Sequence, residues 1–325
     1  SAVTSKKLLL LVLLTILVFV GLAGYGDFTE TGGQLAHFPF SYLIAALALA
    51  VVNYGLRFLR WAYLLRVLGI DIPLGLNGLV FLSGLAMSIT PGKAGELIKS
   101  YLLRDRSGVP VSASAPVVVM ERVTDVISVV LLAMLGLALL PLPVVAALTA
   151  VLFLSGAALV FIGTRKGDWL FSLPLLRRWS SGLRASYHGL RQLAAPKVLL
   201  AATVLGAAAW FSEGLALWVI LRGLDADVAL SRALPVYAAA TLAGALSALP
   251  GGLVGTEGSM VALLLQSGVA RGPASAATLL VRLATLWLAV AVGLIALGGL
   301  NRFGPPRMTA PSSGEQDIPV LQARS

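Results

Sequence analysis

The sequence contains no cysteine and only two histidines, His37 and His188, which lie far apart along the chain. Without cysteine the protein can form neither a disulfide nor a thiolate metal site. Two distant histidines also disfavour a histidine-based metal site. No Walker-type phosphate-binding loop occurs, so we do not expect this chain to hydrolyse ATP. We expect no metal ion, no cofactor, no catalytic residue and no nucleic-acid partner.

Charged residues are also scarce, at 12% of the 325 residues, while 58% are hydrophobic and the mean hydropathy is +0.93. This composition does not supply the charged surface that a soluble domain needs. Several stretches of about 20 residues carry almost no charge, which is typical of membrane-spanning helices. We predict an all-α polytopic membrane protein with six transmembrane helices at about 8–24, 41–66, 114–140, 144–163, 198–221 and 275–299.

The basic start and apolar run at the N-terminus also resemble a signal peptide. We favour a retained helix, because further spans follow and no small-residue cleavage site is evident after the run.

Two further hydrophobic segments, 74–104 and 231–267, are interrupted by proline and glycine. We predict that each forms a re-entrant helical hairpin, which returns to its own side of the membrane. The alternative is eight full spans with proline kinks. The second segment is long enough for that. In the first, Glu96 to Arg104 is too short and too polar to cross about 30 Å at about 1.5 Å per residue.

The distribution of basic residues predicts the orientation of the chain, whose formal net charge is +10. The connection 165–197 is rich in arginine and lysine, whereas 25–40 contains neither. Because cytoplasmic loops collect these residues, we predict that both termini are cytoplasmic. The membrane would be the cytoplasmic (inner) membrane of a bacterium or archaeon.

We predict one membrane domain over 1–303, with repeat one at about 41–140 and repeat two at about 198–299. The remainder, 304–325, is rich in proline, serine and polar residues and predicts a disordered cytoplasmic tail.

Residues 168–193 predict an amphipathic helix that lies on an anionic membrane surface, because arginines flank an apolar stripe. The stripe consists of Leu176, Trp179, Leu183, Tyr187 and Leu190. Such a helix either anchors the connection or recruits headgroups for transport.

The chain contains an internal repeat. Pro91 and Pro250, each followed by glycine, are 159 residues apart, and Arg122 and Arg282 are 160 residues apart. The helices that begin the two repeats would cross the membrane in opposite directions, so the repeats would be inverted. Inverted repeats with matching Pro/Gly breaks point to a transporter site. Irregular backbone at membrane depth needs protein or water around it, so we expect the two breaks to face each other.

Ionisable residues inside a bilayer cost at least about 2.5 kcal/mol each, so they persist when paired or when facing water. We predict that substrate is bound by residues of both signs, together with one threonine: Arg57, Lys93, Glu96, Lys99, Glu121, Arg122, Asp125, Glu213, Thr256, Glu257 and Arg282. A purely anionic lining would suggest a cation channel. The mixed lining better suits a zwitterionic or phosphate-bearing headgroup, with proton coupling through a carboxylate as a further option.

The charged residues on the long helices have two interpretations. Asn53, Arg57 and Arg60 lie within about 60° of one another on a helical wheel. A guanidinium there suits a phosphate, which it can hold bidentately. Alternatively, both arginines extend towards the cytoplasmic end of their helix. Glu213 and Arg282 are expected to pair with each other or with the 121–125 group.

The breaks and the third span also have structural interpretations. Glu96 either binds substrate or caps the short helix that follows it. Thr256 and Glu257 either bind substrate or close their turn. The carboxylates of Glu-Arg-x-x-Asp (121–125) are i,i+4 neighbours with an arginine between them, so this group is either a site or a buried ion network.

Three motifs together resemble a known family: Pro-Gly-Lys-Ala-Gly-Glu (91–96), Glu-Arg-x-x-Asp (121–125) and Pro-Gly-Gly-x-x-Gly-x-Glu (250–257). They are similar to the signatures of the lysylphosphatidylglycerol synthase transmembrane, or flippase-like, family over about residues 5–300. Lys93 stands where most members carry arginine, which keeps the charge but loses the bidentate fork.

The resemblance implies movement of a lipid between leaflets, with aminoacylated phospholipids, other phospholipids and polyprenyl-phosphate-linked sugars as substrates suggested for the family. In synthase relatives this module is fused to a soluble aminoacyl-transferase domain. The present sequence shows no such domain, so we do not expect synthesis of an aminoacyl lipid.

Two other functions remain alternatives. One is a small-solute secondary transporter or channel. The other is an intramembrane enzyme that acts on a lipid phosphate, with Glu121 or Asp125 as acid or base and Arg122 as phosphate clamp. Glycine-rich faces such as Gly293–Gly298 could pack closely against another helix, within one chain or in a homo-oligomer.

Overall fold

The computed structural model describes residues 16–22, 24–90, 95–136, 142–163, 180–247 and 249–305, in which all regular structure is helical. From Phe28 onward the helices are α1 (Phe28–Ala36), α2 (Phe40–Val67), α3 (Leu74–Leu85), α4 (Ile98–Ser107), α5 (Val111–Met134), α6 (Leu142–Gly163), α7 (Ser180–Leu193), α8 (Pro196–Gly223), α9 (Leu230–Leu246), α10 (Gly255–Gln266), α11 (Arg271–Arg282) and α12 (Leu288–Phe303).

Three irregular turns interrupt these helices. A 3₁₀ turn at Ala86–Ile89 continues α3, and another at Pro250–Gly252 lies between α9 and α10. A π turn at Leu283–Trp287 joins α11 to α12.

Four helices in the described ranges are long and apolar enough to cross a membrane: Phe40–Val67, Val145–Gly163, Pro196–Gly223 and Arg271–Arg302. Helix α5 has 24 residues, about 36 Å at about 1.5 Å per residue, but it carries three charges near its centre. This set of helices is that of a multi-pass membrane protein. Of the first predicted span, 8–24, only 16–22 and Gly24 fall in the described residues.

The predicted amphipathic helix at 168–193 is described only from Ser180, as α7. It packs against α5, where the Ser186 hydroxyl donates a hydrogen bond of 2.9 Å to the Ser112 carbonyl. Tyr187 is buried in this contact, and Leu183 is exposed. The start of the predicted stripe and most of the predicted tail lie outside the described residues.

Helices α2 and α8, each of 28 residues, form the longest helix–helix contact in the described structure. Small side chains on both, such as Ala50 and Ala209, are buried, which lets the two backbones approach closely. Asn53 crosses this contact, and its amide nitrogen donates a hydrogen bond of 2.8 Å to the Ala209 carbonyl. One apolar core lies on each side of this pair.

The two predicted breaks are present, and neither is flanked by two full-length helices. Helices α3 and α10 have 12 residues each and α4 has 10, lengths of about 15–18 Å at about 1.5 Å per residue. In the second break Gly251 (φ 62°) and Gly252 (φ 67°) adopt left-handed backbone that glycine tolerates best. Gly251 lies against Ile89, so the second break contacts the 3₁₀ turn that leads into the first; residues 91–94, which include Pro91 of the first break, lie outside the described structure.

Gly293 on α12 lies directly against the backbone of Leu85 and Ala86 at the end of α3. A Cβ there would overlap the nitrogen of Ala86, whereas a Cβ at Gly298 would meet nothing within 4 Å. One end of the predicted glycine-rich face therefore serves packing within the chain.

We expect Gly293→Ala to lower the free energy of unfolding by about 1–3 kcal/mol, because α12 and α3 would have to separate. Gly298→Ala is the matched control on the same helix, and its added methyl meets no neighbour. Thermal unfolding of both purified variants in detergent measures the difference. Equal midpoints for Gly293→Ala and wild type would contradict this close approach.

Candidate functional site

Those of the predicted charged residues that the structure describes lie close together between the helices. Glu96 follows the first break and lies between three basic side chains. Its Oε1 is 3.3 Å from Arg57 Nη2, and its Oε2 is 2.8 Å from Arg122 Nη2 and 3.7 Å from Lys99 Nζ. One carboxylate therefore ties the first break to α2, α4 and α5.

Lys99 and Glu121 form a second buried pair, with Nζ 2.5 Å from Oε2. The Lys99 ammonium also lies 4.4 Å from the centroid of the Trp61 ring, a cation–π contact. The Trp61 indole nitrogen donates to Asn77 Oδ1 at 2.8 Å. This pair fastens the short helix α4 to α5 beside α2 and α3.

Asp125 is the third centre of charge. It lies 2.7 Å from Arg60 Nη2 and 2.9 Å from Arg122 Nη2, and the indole of Trp210 donates to it at 3.1 Å. Arg122 and Asp125 are three positions apart on the same helix, so their side chains lie on one face. Arg60 does not extend to the end of its helix, since its side chain is 0% exposed.

The second break carries an ion pair equivalent to that of the first. Arg282 Nε donates to Glu257 Oε1 at 2.6 Å, and its Nη2 donates to the Gly251 carbonyl at 2.6 Å. The arginine and glutamate are 25 residues apart here and 26 apart in the Arg122–Glu96 pair. In each repeat the glutamate that follows the break therefore pairs with the arginine of the next long helix.

Glu213 on α8 has different surroundings. The Tyr237 hydroxyl donates to its Oε2 at 2.7 Å. The hydroxyl of Tyr54 lies in the same region and donates to the Thr285 carbonyl, in the π turn, at 3.2 Å. The expected Glu213–Arg282 pair does not form, because Arg282 contacts Glu257 and the second break instead.

A cavity of about 270 Å³ lies between the two breaks. Its wall carries three arginines, two carboxylates, several hydroxyls and several apolar side chains. The polar part consists of Arg57, Arg122, Arg282, Asp125, Glu213, Tyr54, Tyr237, Trp210, Ser88, Thr90, Thr241, Thr256 and Thr285. The apolar part includes Val126, Val129, Leu242, Leu249, Leu286 and Ala289.

The predicted site residues divide into two groups. Six line the cavity: Arg57, Arg122, Asp125, Glu213, Thr256 and Arg282. Four lie behind this wall, each within an ion pair: Glu96, Lys99, Glu121 and Glu257. Lys93 lies outside the described residues. The second group fits the interpretation of a buried ion network that positions the first.

Several lining residues were not among the predicted site residues. Tyr54, Tyr237 and Thr285 surround Glu213, and Ser88 and Thr90 come from the first break. The sequence offered one sign that Tyr237 belongs to the site, namely its position in the short apolar helix α9. Single aromatic residues on such helices are common in protein cores, so this sign did not identify a site residue.

The arginines of the wall supply nitrogen donors that suit an anion. Three guanidinium groups and two carboxylates line the cavity, and each arginine is paired with Glu96, Glu257 or Asp125. The Nε atoms of Arg57 and Arg122 are buried and have no hydrogen-bond partner in the described part of the chain. Guanidinium groups match the oxygens of a phosphate group in geometry. No cluster of three or more potential metal ligands occurs among the described residues.

Comparison with known proteins agrees with this architecture. A membrane protein of Methanothermobacter thermautotrophicus, named UPF0104 membrane protein, is 26% identical over 285 residues, which cover 79% of this chain and 84% of the relative. A second UPF0104 membrane protein of that organism is 26% identical over 279 residues, 78% of this chain and 82% of the relative.

A shorter similarity, 29% identity over 118 residues, links 36% of this chain to 19% of the Haloferax volcanii protein named glycosyltransferase AglD. The family described as lysylphosphatidylglycerol synthase TM region matches residues 8–293, nearly all of the described helices. The chain therefore belongs to the family of the lysylphosphatidylglycerol synthase transmembrane region.

Proposed function

We propose that this protein moves a lipid with a phosphate-bearing headgroup, either a phospholipid or a polyprenyl-phosphate-linked lipid, between the leaflets of the membrane. The cavity carries this proposal, because it combines three arginines with an apolar wall inside a multi-pass membrane protein. A phosphate would be held by the arginines, and the attached hydrocarbon would lie along the apolar side.

The size of the cavity suits a headgroup rather than a whole lipid. Its volume of about 270 Å³ is slightly below the range of about 300–1,000 Å³ that is typical of small-molecule pockets. Leu249 lines it and is 39% exposed, and the nearby Leu246 is 86% exposed. Hydrocarbon chains could therefore extend from the cavity into the bilayer past these leucines.

Arg122 is the arginine best placed to bind first. Its side chain is 24% exposed, compared with 7% for Arg57 and 9% for Arg282. It bridges Glu96 and Asp125, so its charge is shared between two carboxylates and can reorient towards a phosphate. A phosphate bound to Arg122 would loosen the contacts that tie the first break to α5. Occupancy of the cavity would therefore be linked to movement of the first break.

The same geometry supports a topology of six spans and two re-entrant hairpins in inverted repeats, and the basic connection 165–197 supports cytoplasmic termini. Helices α4 and α10, with 10 and 12 residues, are shorter than the about 20 residues that a full span needs. The equal lengths of α2 and α8 and the matched ion pairs fit two copies of one unit. Inversion would open one break towards each side of the membrane.

A small-solute transporter or channel is the second candidate, and the modest cavity volume is the observation in its favour. Flux of soluble phosphate compounds through proteoliposomes would reveal it. An enzyme acting on lipid phosphates would instead change the lipid covalently, so recovery of the labelled lipids unchanged would support transport.

We expect the reconstituted protein to move fluorescent phospholipid between leaflets and Arg122→Ala to slow this movement at least about tenfold, since a desolvated charge contact is worth several kcal/mol. Dithionite quenching of the fluorescent label measures the movement of lipid. If lipid does not move, dithionite quenches only the label in the outer leaflet, about half of the total. If lipid moves between leaflets, quenching exceeds half. Headgroups to test include phosphatidylglycerol and a glycosylated polyprenyl phosphate.

Arg104→Ala is the matched control, because Arg104 is exposed and contacts its neighbour Asp105 and the ring of Tyr101, away from the cavity lining. Arg122→Lys should retain part of the rate of lipid movement, because lysine keeps the positive charge but cannot bind a phosphate through two nitrogens as arginine can. Monodisperse elution of each variant would establish folding. If Arg122→Ala moved lipid at the wild-type rate, the cavity would not be the lipid-binding site.

Introduced cysteines test the topology, because the natural sequence has none. Membrane-impermeant maleimide should label His37→Cys only from outside and Ala195→Cys only from the cytoplasm; both positions are exposed. We expect Leu249→Cys to react with the reagent from the cytoplasm at least about tenfold more slowly than Ala195→Cys, because a re-entrant break ends within the bilayer. Equal rates from the cytoplasm would favour eight full spans.

A further inference from the structure

Glu213 differs from the other carboxylates around the cavity. Four of them, Glu96, Glu121, Asp125 and Glu257, each have a lysine or arginine nitrogen within 2.8 Å. Glu213 forms no ion pair with any described residue, although it is only 8% exposed. Its recorded partner is the neutral hydroxyl of Tyr237, which donates at 2.7 Å.

The helices packed against α8 do not supply a free positive charge to Glu213. These helices are α2, α5, α9 and α11. The charged and titratable groups that they present to the cavity are Tyr54 and Arg57 from α2, Arg122 and Asp125 from α5, Tyr237 from α9 and Arg282 from α11. Each of the three arginines is already paired with a glutamate behind the wall or with Asp125.

A proton is therefore a chemically suitable counter-ion for Glu213. A buried carboxylate without a cation is costly, and adding one proton removes the charge without breaking an ion pair. At each of the other four carboxylates, protonation would leave a buried lysine or arginine with a weakened contact. Within the described site, Glu213 is the carboxylate that can gain and lose a proton while the ion network stays intact.

The position of Glu213 links its charge to occupancy of the cavity. It lines the same wall as the three arginines, so a phosphate bound there adds negative charge near the carboxylate. Nearby negative charge favours the protonated form. By linkage, protonation must then favour binding of the phosphate to the same extent.

Contacts around Glu213 also join moving parts of the proposed transporter. Tyr237 belongs to the helix that leads into the second break. Tyr54 on α2 reaches the carbonyl of Thr285. π turns occur frequently at functional sites. A change of charge at Glu213 would therefore act on both repeats at once.

We propose that Glu213 is the proton-binding residue of a proton–lipid symporter, which rests on the lipid transport proposed above. One proton adds to a carboxylate oxygen of Glu213 as the anionic headgroup binds, and it leaves to water when the cavity opens on the other side. For a lipid with one negative charge, the combined movement of lipid and proton is electroneutral.

The test uses vesicles of phosphatidylcholine and phosphatidylglycerol that contain the full chain and a trace of short-chain NBD-phosphatidylglycerol. Albumin extracts label from the outer leaflet. An imposed difference of about one pH unit, acidic outside, is a tenfold proton ratio. At one proton per lipid it should shift label to the inner leaflet by up to about tenfold at steady state, because the two gradients are linked.

In Glu213→Gln we expect this shift to disappear while movement at equal pH remains measurable, since glutamine resembles the protonated acid. Asp71→Asn is the matched control: Asp71 is an exposed carboxylate that does not line the cavity, and the shift should persist. Equal leaflet distribution with and without the gradient in wild type, or a full shift in Glu213→Gln, would overturn the proposal. Absence of lipid movement at any pH would instead remove the proposed transport, and proton coupling with it.

The variant Tyr237→Phe distinguishes a proton-binding role of Glu213 from a purely structural role. This variant keeps the carboxylate but removes the donor that stabilises its charged form. The shift should persist, and the pH at which transport is half-maximal should move upward, because protonation becomes easier. An unchanged pH profile with a lower rate would assign the Glu213–Tyr237 contact to packing alone and overturn the proposal.

Discussion

The cost of a charge in a lipid bilayer is the constraint on which the rest of this structure depends. Five basic and five acidic side chains surround the cavity in the described residues: Arg57, Arg60, Lys99, Arg122 and Arg282 against Glu96, Glu121, Asp125, Glu213 and Glu257. Such residues are tolerated inside a membrane when they pair or face water. Here the ion pairs also hold the short helices in place, which contacts with lipid alone would not do.

The short helices show this dependence most clearly. Helix α4 has only 10 residues and is held by Lys99, whose ammonium contacts two glutamates and an indole ring. The second break is held by Arg282, which contacts both the Gly251 carbonyl and Glu257. Arg122, which pairs with Glu96 at the first break, and Arg282, which contacts the second break, both line the cavity. A ligand bound by these arginines would therefore act directly on the elements that would have to move.

Much of the fold follows from the hydrophobic pattern alone. The predicted spans at 41–66 and 198–221 differ from α2 and α8 by one or two residues at each end, because long and mostly apolar runs leave little freedom in where a spanning helix begins and ends. The glycines and prolines also indicate both breaks, since few other residues accept the backbone that Gly251 and Gly252 adopt. The hydrophobic periodicity of the sequence, by contrast, does not show how deep each helix lies in the membrane.

The site was less predictable than the fold, because partners come from distant segments. The helical wheel placed Arg57 and Arg60 on one face but could not show that Arg60 meets Asp125, 65 positions later. Pairing of Glu213 with Arg282 was reasonable by charge, yet Glu257 lies closer in the fold. Tyr237 looked like an ordinary core aromatic, and only its neighbours identify it as the partner of Glu213.

The π turn at Leu283–Trp287 has a consequence for how the sequence can change over time. It sets the rotation between α11, which points Arg282 at the cavity, and α12, which places Gly293 against Ala86. Loss of one residue in this turn would rotate α12 by about 100° relative to α11 and bring a bulkier side chain against α3. Insertions and deletions here are therefore constrained jointly by the cavity, which Thr285 and Leu286 of the turn line, and by a helix contact six residues after the turn ends.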